Sequence, residues 1–256
     1  MTSPQKGAPV LVFTATYNEA DNIGEWYRRT RAVLPDAHLL VVDDKSPDGT
    51  GKILESLLHL DDRMEVIHRP AKVGLGSAHK IAFRRAIEGN YSLLVTMDSD
   101  LSHQPEEIPG LLHCLAGHDF VIGTRWGANG SCEYAGFRRM VSRAGNRAAR
   151  LLIPTGLTEY TTSFRAFSRA SLEAILADQP PDDGYAFFVE TIFTLHERGL
   201  RLTEAPINFR DRSRGTSKIP RNQILVSTRS LIRLFLKKSR LRSMDSQDDG
   251  TQRSEV

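Results

Sequence analysis

Two carboxylates, Asp98 and Asp100, stand two residues apart directly after an apolar run, Leu93–Met97. In extended chain, residues i and i+2 project to the same side, so both acids can face one point. Carboxylates held that close repel one another unless a cation lies between them. Mg2+ or Mn2+ suits such a pair, because it takes one or two carboxylates and completes its shell with water and phosphate oxygens. That arrangement stabilises a departing diphosphate. Two other polar clusters also follow apolar runs: Tyr17-Asn18-Glu19 comes after Val10–Thr14, and Asp43-Asp44 after Leu39–Val42.

The segments between these clusters alternate in period. Val10–Thr14, Leu39–Val42, Met64–Ile67 and Leu93–Met97 read as strands. Asn22–Val33 (closed by Pro35), Ile53–Leu60 and Gly76–Ile87 have helical spacing. Strands alternating with helices of this length predict parallel βαβ units and an open sheet. Ligands of such sheets bind beyond the carboxyl ends of the strands, so the three polar clusters converge on one crevice. Further on, Phe120–Ile122 predicts a strand, Gly123–Gly136 a glycine-rich loop, Arg138–Leu152 a basic helix, Ala186–Arg198 a helix and Leu202–Phe209 a strand. The resulting division is a polar lead over 1–9, an α/β domain over 10–220, a basic amphipathic helix over 221–242 and a disordered tail over 243–256.

Composition removes several classes. Over 256 residues the net charge is only +3, and the arginines are not interleaved with stacking aromatics, so nucleic acid is not an expected partner. Cys114 and Cys132 lack CxxC spacing, which argues against a disulfide framework or zinc site and for reduced thiols in a cytoplasmic protein. Gly74-Leu75-Gly76 lacks the third glycine of a dinucleotide fingerprint and does not follow a strand directly, and no GxxxxGK[ST] occurs. The expectation there is a helix N-terminus that lets backbone approach a ligand closely. No run reaches the ~18 apolar residues of a spanning helix. From Ile224 to Leu236, however, apolar residues fill a broad helical face, with Arg229, Arg233 and Lys237 opposite and Lys238, Arg240 and Arg242 following. Such a helix either lies in the headgroups of a membrane or packs on the domain with its basic face solvated.

The ordered motifs resemble one family. Thr16-Tyr17-Asn18-Glu19, Val42-Asp43-Asp44-Lys45-Ser46-Pro47-Asp48-Gly49-Thr50, Gly74-Leu75-Gly76 and Met97-Asp98-Ser99-Asp100-Leu101-Ser102-His103-Gln104-Pro105 are similar to inverting family-2 glycosyltransferases of GT-A fold. Within these, the likeness is to the dolichol-phosphate (polyprenol-phosphate) mannose synthases. Gly123-Thr124-Arg125-Trp126, Thr161-Thr162-Ser163-Phe164-Arg165, Gly184-Tyr185-x-Phe187-x-x-Glu190 and Asp211-Arg212-x-x-Gly215-x-Ser217-Lys218 extend it, in order, to about residue 220.

The resemblance implies a GT-A (Rossmann-like) open mixed sheet flanked by helices, as a single domain with a C-terminal amphipathic helix. It implies transfer of a sugar, mannose from GDP-mannose first among the options, to a polyprenyl or dolichyl monophosphate with inversion. A different donor such as UDP-glucose, or a glycan acceptor, is the alternative. Ala15, Tyr17, Glu19, Val42, Asp44 and Ser99 would hold the donor, and Asp98, Asp100 and Ser102 would surround Mg2+ or Mn2+. Arg125, Arg212 and Lys218 would face the diphosphate or acceptor phosphate, and Glu159, Ser163 and Glu190 the acceptor or sugar. The implied catalytic set is Asp98, Asp100, Arg212 and Lys218. Implied partners are a nucleotide-sugar donor, a polyprenyl phosphate and the cytoplasmic face of a membrane, reached through the C-terminal helix or a small membrane partner protein. Four positions depart from the family: Ala15 stands for Pro, Ser99 for a common Ala, Glu159 for Asp, and Thr162 for a frequent Gly. His103 is expected to be a loop histidine bonded locally.

Overall fold

The computed structural model describes residues 9–127, 129–178 and 186–211, all within one compact unit, Met1–Ser217. Its first half follows the expected alternation: β1 (Val10–Thr16), α1 (Ile23–Val33), β2 (His38–Asp43), α2 (Thr50–Leu58), β3 (Met64–His68), α3 (Leu75–Glu88) and β4 (Leu93–Thr96). The second half contains α4 (Ile108–Leu115), β5 (Phe120–Thr124), β6 (Ser131–Cys132), α5 (Gly136–Leu152), β7 (Arg165–Ser168), α6 (Arg169–Asp178), α7 (Ala186–Glu197), β8 (Leu202–Pro206) and β9 (Asn208–Phe209).

Seven strands form one sheet in the order β3-β2-β1-β4-β7-β5-β8. Parallel pairing joins β3, β2, β1 and β4, while β7 runs antiparallel between β4 and β5, and β8 parallel to β5. Two antiparallel steps cancel, so β5 points the same way as β1, β2 and β4. The sheet is thus mixed, as the GT-A resemblance implies, and the expectation of purely parallel units fails only at β7. The expected strand over Leu202–Phe209 is broken at Ile207, and its end, β9, leaves the main sheet to pair with β6 inside the glycine-rich loop.

Strand periodicity divides the core between two faces. Val12, Leu39, Val41, Val95, Val121 and Ala166 pack against Ile23 and Trp26 of α1, Leu54 of α2, and Ile108 and Leu111 of α4. The intervening residues point the other way, where Phe13 meets His79 and Phe167 meets Phe83 of α3, and Phe83 stacks on Phe187 of α7. A sheet covered on both faces leaves its strand ends as the place where backbone and polar side chains reach solvent.

Candidate active site

Strand direction brings four segments to one edge of the sheet: 17–19 after β1, 43–46 at the end of β2, 98–103 after β4 and 125–127 after β5. Thr16 and Asp43 are register partners, and the Thr16 hydroxyl donates to Asp43 Oδ1 at 2.9 Å. Ser46 adds its amide at 3.1 Å and its hydroxyl at 2.5 Å. Asp43 is buried and acts as the staple that shapes this turn. Asp44 pairs with Arg69, which also donates to Ser77 Oγ at 3.0 Å and to the Gly74 carbonyl at 3.1 Å. That guanidinium therefore ties the second cluster to the start of α3, where the Gly74-Leu75-Gly76 segment does open a helix. Glu19 accepts from Asn22 Nδ2 at 2.8 Å, and Lys72 Nζ sits 4.4 Å from the centre of the Tyr17 ring. Ala15 and Tyr17 are half-buried at this rim, while Ser99 is buried. Val42 is fully buried in β2, one residue before the Asp43 turn.

The aspartate pair is held differently from the expected extended i, i+2 arrangement. β4 ends at Thr96, and residues 99–103 form bends instead of strand. Leu101 has φ 61°, a left-handed conformation that a bulky residue adopts only when its surroundings impose it. Asp100 is 3% exposed, and its Oδ1 accepts the Ser102 amide at 3.0 Å and the Ser102 hydroxyl at 2.6 Å. The Asp98 side chain is 37% exposed, with Oδ1 accepting from Ser163 Oγ at 2.6 Å. Ser102 thus orients Asp100, and Ser163 orients Asp98.

His103 completes the turn. Its Nδ1 accepts the Asp98 amide at 3.1 Å, which leaves the proton on Nε2, 3.0 Å from Thr162 Oγ1. Burial lowers its pKa, against the opposing pull of Asp98 and Asp100. It is a neutral clamp with both nitrogens occupied, and one of its two partners is more distant than the purely local bonding expected.

Arg125 sits directly after β5 with its guanidinium bonded on three sides. Nε donates to Glu159 at 2.7 Å, Nη1 to Tyr134 Oη at 2.8 Å and Nη2 to Thr161 Oγ1 at 3.0 Å. All three guanidinium nitrogens are thus bonded within the protein. Glu159 is fully buried; burial would raise its carboxyl, but the Arg125 charge and hydrogen bond outweigh this and hold it low. Glu159 therefore neutralises Arg125. Glu190 is buried on α7. Arg212, Lys218, Gly184, Tyr185 and the helix expected over 221–242 lie outside the described residues.

Arg165 was missed as a working residue, although it closes a quoted motif. Fully buried, it donates to the carbonyls of Thr162 at 2.7 Å, Tyr160 at 2.9 Å and Phe188 at 3.0 Å. Burial pushes its pKa down to about 9. It fixes the loop that presents Thr162 to His103 and Ser163 to Asp98. An arginine flanked by Phe164, Ala166 and Phe167 is the signal that could have revealed it.

The donor set at the aspartate turn is made of hard oxygens, the chemistry that fits Mg2+ or Mn2+ and not a soft thiolate-seeking metal. Among the described residues no group of three or more His, Cys, Asp or Glu gathers round one point. A cation held here would draw the remainder of its shell from water and phosphate oxygens, as expected of a site that works on a diphosphate.

Known proteins agree with this geometry. The family model "Glycosyl transferase family 2" matches residues 11–176. An undecaprenyl-phosphate mannosyltransferase of Micrococcus luteus is 39% identical over 211 residues, covering 82% of this chain and 87% of the relative. A polyprenol monophosphomannose synthase of Mycolicibacterium smegmatis is 38% identical over 217 residues, covering 84% and 82%. Among solved structures, glucosyl-3-phosphoglycerate synthase from Mycobacterium tuberculosis, crystallised with Mn2+, UDP and glucosyl-3-phosphoglycerate, superposes with a TM-score of 0.67 at 20% identity, over 91% of this chain and 81% of that one. Fold, strand-end carboxylates and sequence thus converge, and the chain belongs to glycosyl transferase family 2.

Proposed function

We propose that this chain is an inverting mannosyltransferase that moves mannose from GDP-mannose to a polyprenyl monophosphate at the cytoplasmic face of a membrane, with Mg2+ or Mn2+ at Asp98 and Asp100. The observation that carries the reading is the aspartate turn: two carboxylates held by Ser102, Ser163 and His103 at the carboxyl edge of the sheet, one of them open to solvent. Sugar and acceptor come from the two relatives, whose names specify mannose transfer and a polyprenyl phosphate.

An acceptor phosphate oxygen attacks the anomeric carbon as the bond to the nucleoside diphosphate breaks, giving inversion and an oxocarbenium-like transition state. A cation held by Asp98 and Asp100 would supply Lewis-acid stabilisation of the leaving diphosphate. A phosphate monoester is already anionic near neutrality, its second pKa being about 6, so the chain must position the acceptor more than deprotonate it. That demand matches a site whose histidine has both nitrogens engaged. Arg212 and Lys218, which lie outside the described residues, are the cations this reading assigns to the two phosphate groups. The chain enters that stretch beside the aspartate turn, the Arg210 amide donating to the Ser102 carbonyl at 3.0 Å.

The test is transfer of radiolabelled sugar from GDP-mannose, and separately UDP-glucose, to a short polyprenyl phosphate with and without Mn2+ or Mg2+. GDP-mannose with metal supports transfer, and Asp100→Asn abolishes it while the protein stays folded. Exclusive use of UDP-glucose, or full activity of Asp100→Asn, overturns the reading.

A further inference from the structure

Helix α5 carries charge for which the proposed reaction has no use. Its 17 residues include Arg138, Arg139, Arg143, Arg147 and Arg150 and no acid. Arg139, Arg143, Arg147 and Arg150 are spaced by four, four and three, which places them in one stripe of the helix surface, and all four are exposed. Among the described residues none of these four pairs with a carboxylate. Beside them two large apolar side chains also face solvent, Met140 at 60% exposure and Leu151 at 80%. A cleft of about 700 Å3 runs along the stripe, lined by Trp126, Arg139, Met140, Arg143, Arg147 and Thr158. The Trp126 ring lies 5.8 Å from the Arg139 guanidinium and 5.7 Å from that of Arg143.

The inward side of α5 is occupied by the fold. Ala149 is buried, and Asn146 accepts the Tyr160 amide at 2.7 Å and donates to Thr161 Oγ1 at 3.4 Å. Two residues beyond Thr161, Ser163 holds Asp98. The outward stripe therefore belongs to a helix that flanks the aspartate crevice.

An occupant must satisfy four guanidinium groups that have no carboxylate partner among the described residues, and also cover Met140 and Leu151. Arginines beside exposed apolar side chains, with no acid among them, are what an interfacial helix offers to phosphate headgroups and the acyl layer beneath them. A nucleic acid would match the charge but leave Met140 and Leu151 wet, and the Trp126 ring is engaged by arginines instead of standing open for base stacking. We infer that the Arg139, Arg143, Arg147 and Arg150 face of α5, with Met140, Leu151 and the Trp126 cleft, docks this chain on a bilayer of anionic phospholipids. Docking itself stands apart from the reaction; that it delivers a lipid-borne acceptor to Asp98 and Asp100 rests on the function proposed above.

The experiment is co-sedimentation of the full chain with vesicles of phosphatidylcholine alone and of phosphatidylcholine mixed with phosphatidylglycerol. The wild-type chain sediments with the mixed vesicles only. Each arginine near an anionic surface contributes about fivefold, so Arg143→Gln/Arg147→Gln/Arg150→Gln weakens that binding about a hundredfold. A separate Met140→Gln/Leu151→Gln variant, which keeps every charge, weakens it several-fold and decides the matter should the triple variant fold poorly. Lys237→Gln/Arg240→Gln/Arg242→Gln retains most of the binding. Wild-type sedimentation of the α5 variants, loss confined to the 237–242 variant, equal binding to neutral vesicles, or binding of RNA in place of vesicles each overturns the inference. Transfer to a short water-soluble polyprenyl phosphate separates the two readings: the α5 triple variant keeps it. A wild-type chain that docks as expected yet transfers no mannose defeats the proposed function alone.

Discussion

Two acidic groups at the same edge of the sheet are treated in opposite ways. Glu159 is fully buried, with Oε2 taken by Arg125 and Oε1 by the amide and hydroxyl of Thr161. Asp98 is oriented just as deliberately, through Ser163 Oγ and through its own amide on His103, yet its side chain stays 37% exposed. A charge neutralised inside the protein serves architecture. A charge that is oriented and left a solvent side is available for a ligand. The difference separates a neutralised pair from an oriented, solvent-facing carboxylate, although both occupy positions where the family resemblance implies contact with substrate.

Glu159→Gln breaks this comparison from the scaffold side and has the largest effect. Removing one partner of a buried ion pair strands the other charge, a loss of about 3–5 kcal/mol. Thermal or urea unfolding measures it. Replacing both partners at once, as Arg125→Met/Glu159→Leu, costs much less, because no uncompensated charge is left. A Glu159→Gln variant of normal stability and impaired transfer would place Glu159 on the substrate side after all.

Asp98→Asn is the complementary cut. Transfer falls by about 10²–10³-fold, the loss typical of removing one preorganised electrostatic group, whereas the unfolding midpoint shifts little because a partly exposed carboxylate carries little of the fold. Equal losses in stability and rate would erase the distinction between the two acids.

His79 sharpens the contrast from the opposite face of the sheet. It is buried among Phe13, Phe83, Phe187 and Phe188, with Nδ1 2.9 Å from the Leu75 carbonyl. Burial lowers its pKa to about 3. The unfolded chain, with an imidazole pKa near 6.5, binds a proton that the folded chain refuses. Stability is therefore full above pH ~6.5 and declines as pH falls from there toward ~3, by up to about 1.4 kcal/mol per pH unit. His79→Leu flattens that slope between pH 6.5 and 4 in urea titrations. An unchanged slope would mean that other groups dominate acid unfolding.

The parts legible in the sequence are those where a local pattern and its consequence coincide. Apolar runs ending in Tyr17-Asn18-Glu19, Asp43-Asp44 and Asp98-Ser99-Asp100 mark the carboxyl edge, and the structure brings all three there. β7 was not legible: it has four residues, begins with the buried Arg165, and shows no alternation from which a strand could be read. α4 carries Pro109 and Gly110 near its start, which mask a short helix. The partnership of Arg125 with Glu159 spans 34 residues, and no spacing rule pairs side chains so far apart. The family resemblance suggested that Arg125 faces a phosphate, and the sequence, which displays a charge without displaying what neutralises it, contains no sign of Glu159 as its partner.

Thr162 tests the smallest element of the comparison, the link between the two acidic regions. Its Oγ1 receives the Nε2 proton of His103, whose other nitrogen holds the Asp98 amide. Thr162→Val keeps the volume and removes the acceptor, leaving a buried N–H without its partner. Stability falls by about 1–2 kcal/mol, a drop of about 2–8 °C in the unfolding midpoint of a domain this size. Because His103 also fixes the aspartate turn, the Mn2+ concentration giving half-maximal transfer rises a few-fold while the rate at saturating metal stays near wild type. A variant that loses stability but binds Mn2+ normally would show that the turn keeps its shape without the clamp, and that Ser163 and Ser102 alone orient the two carboxylates.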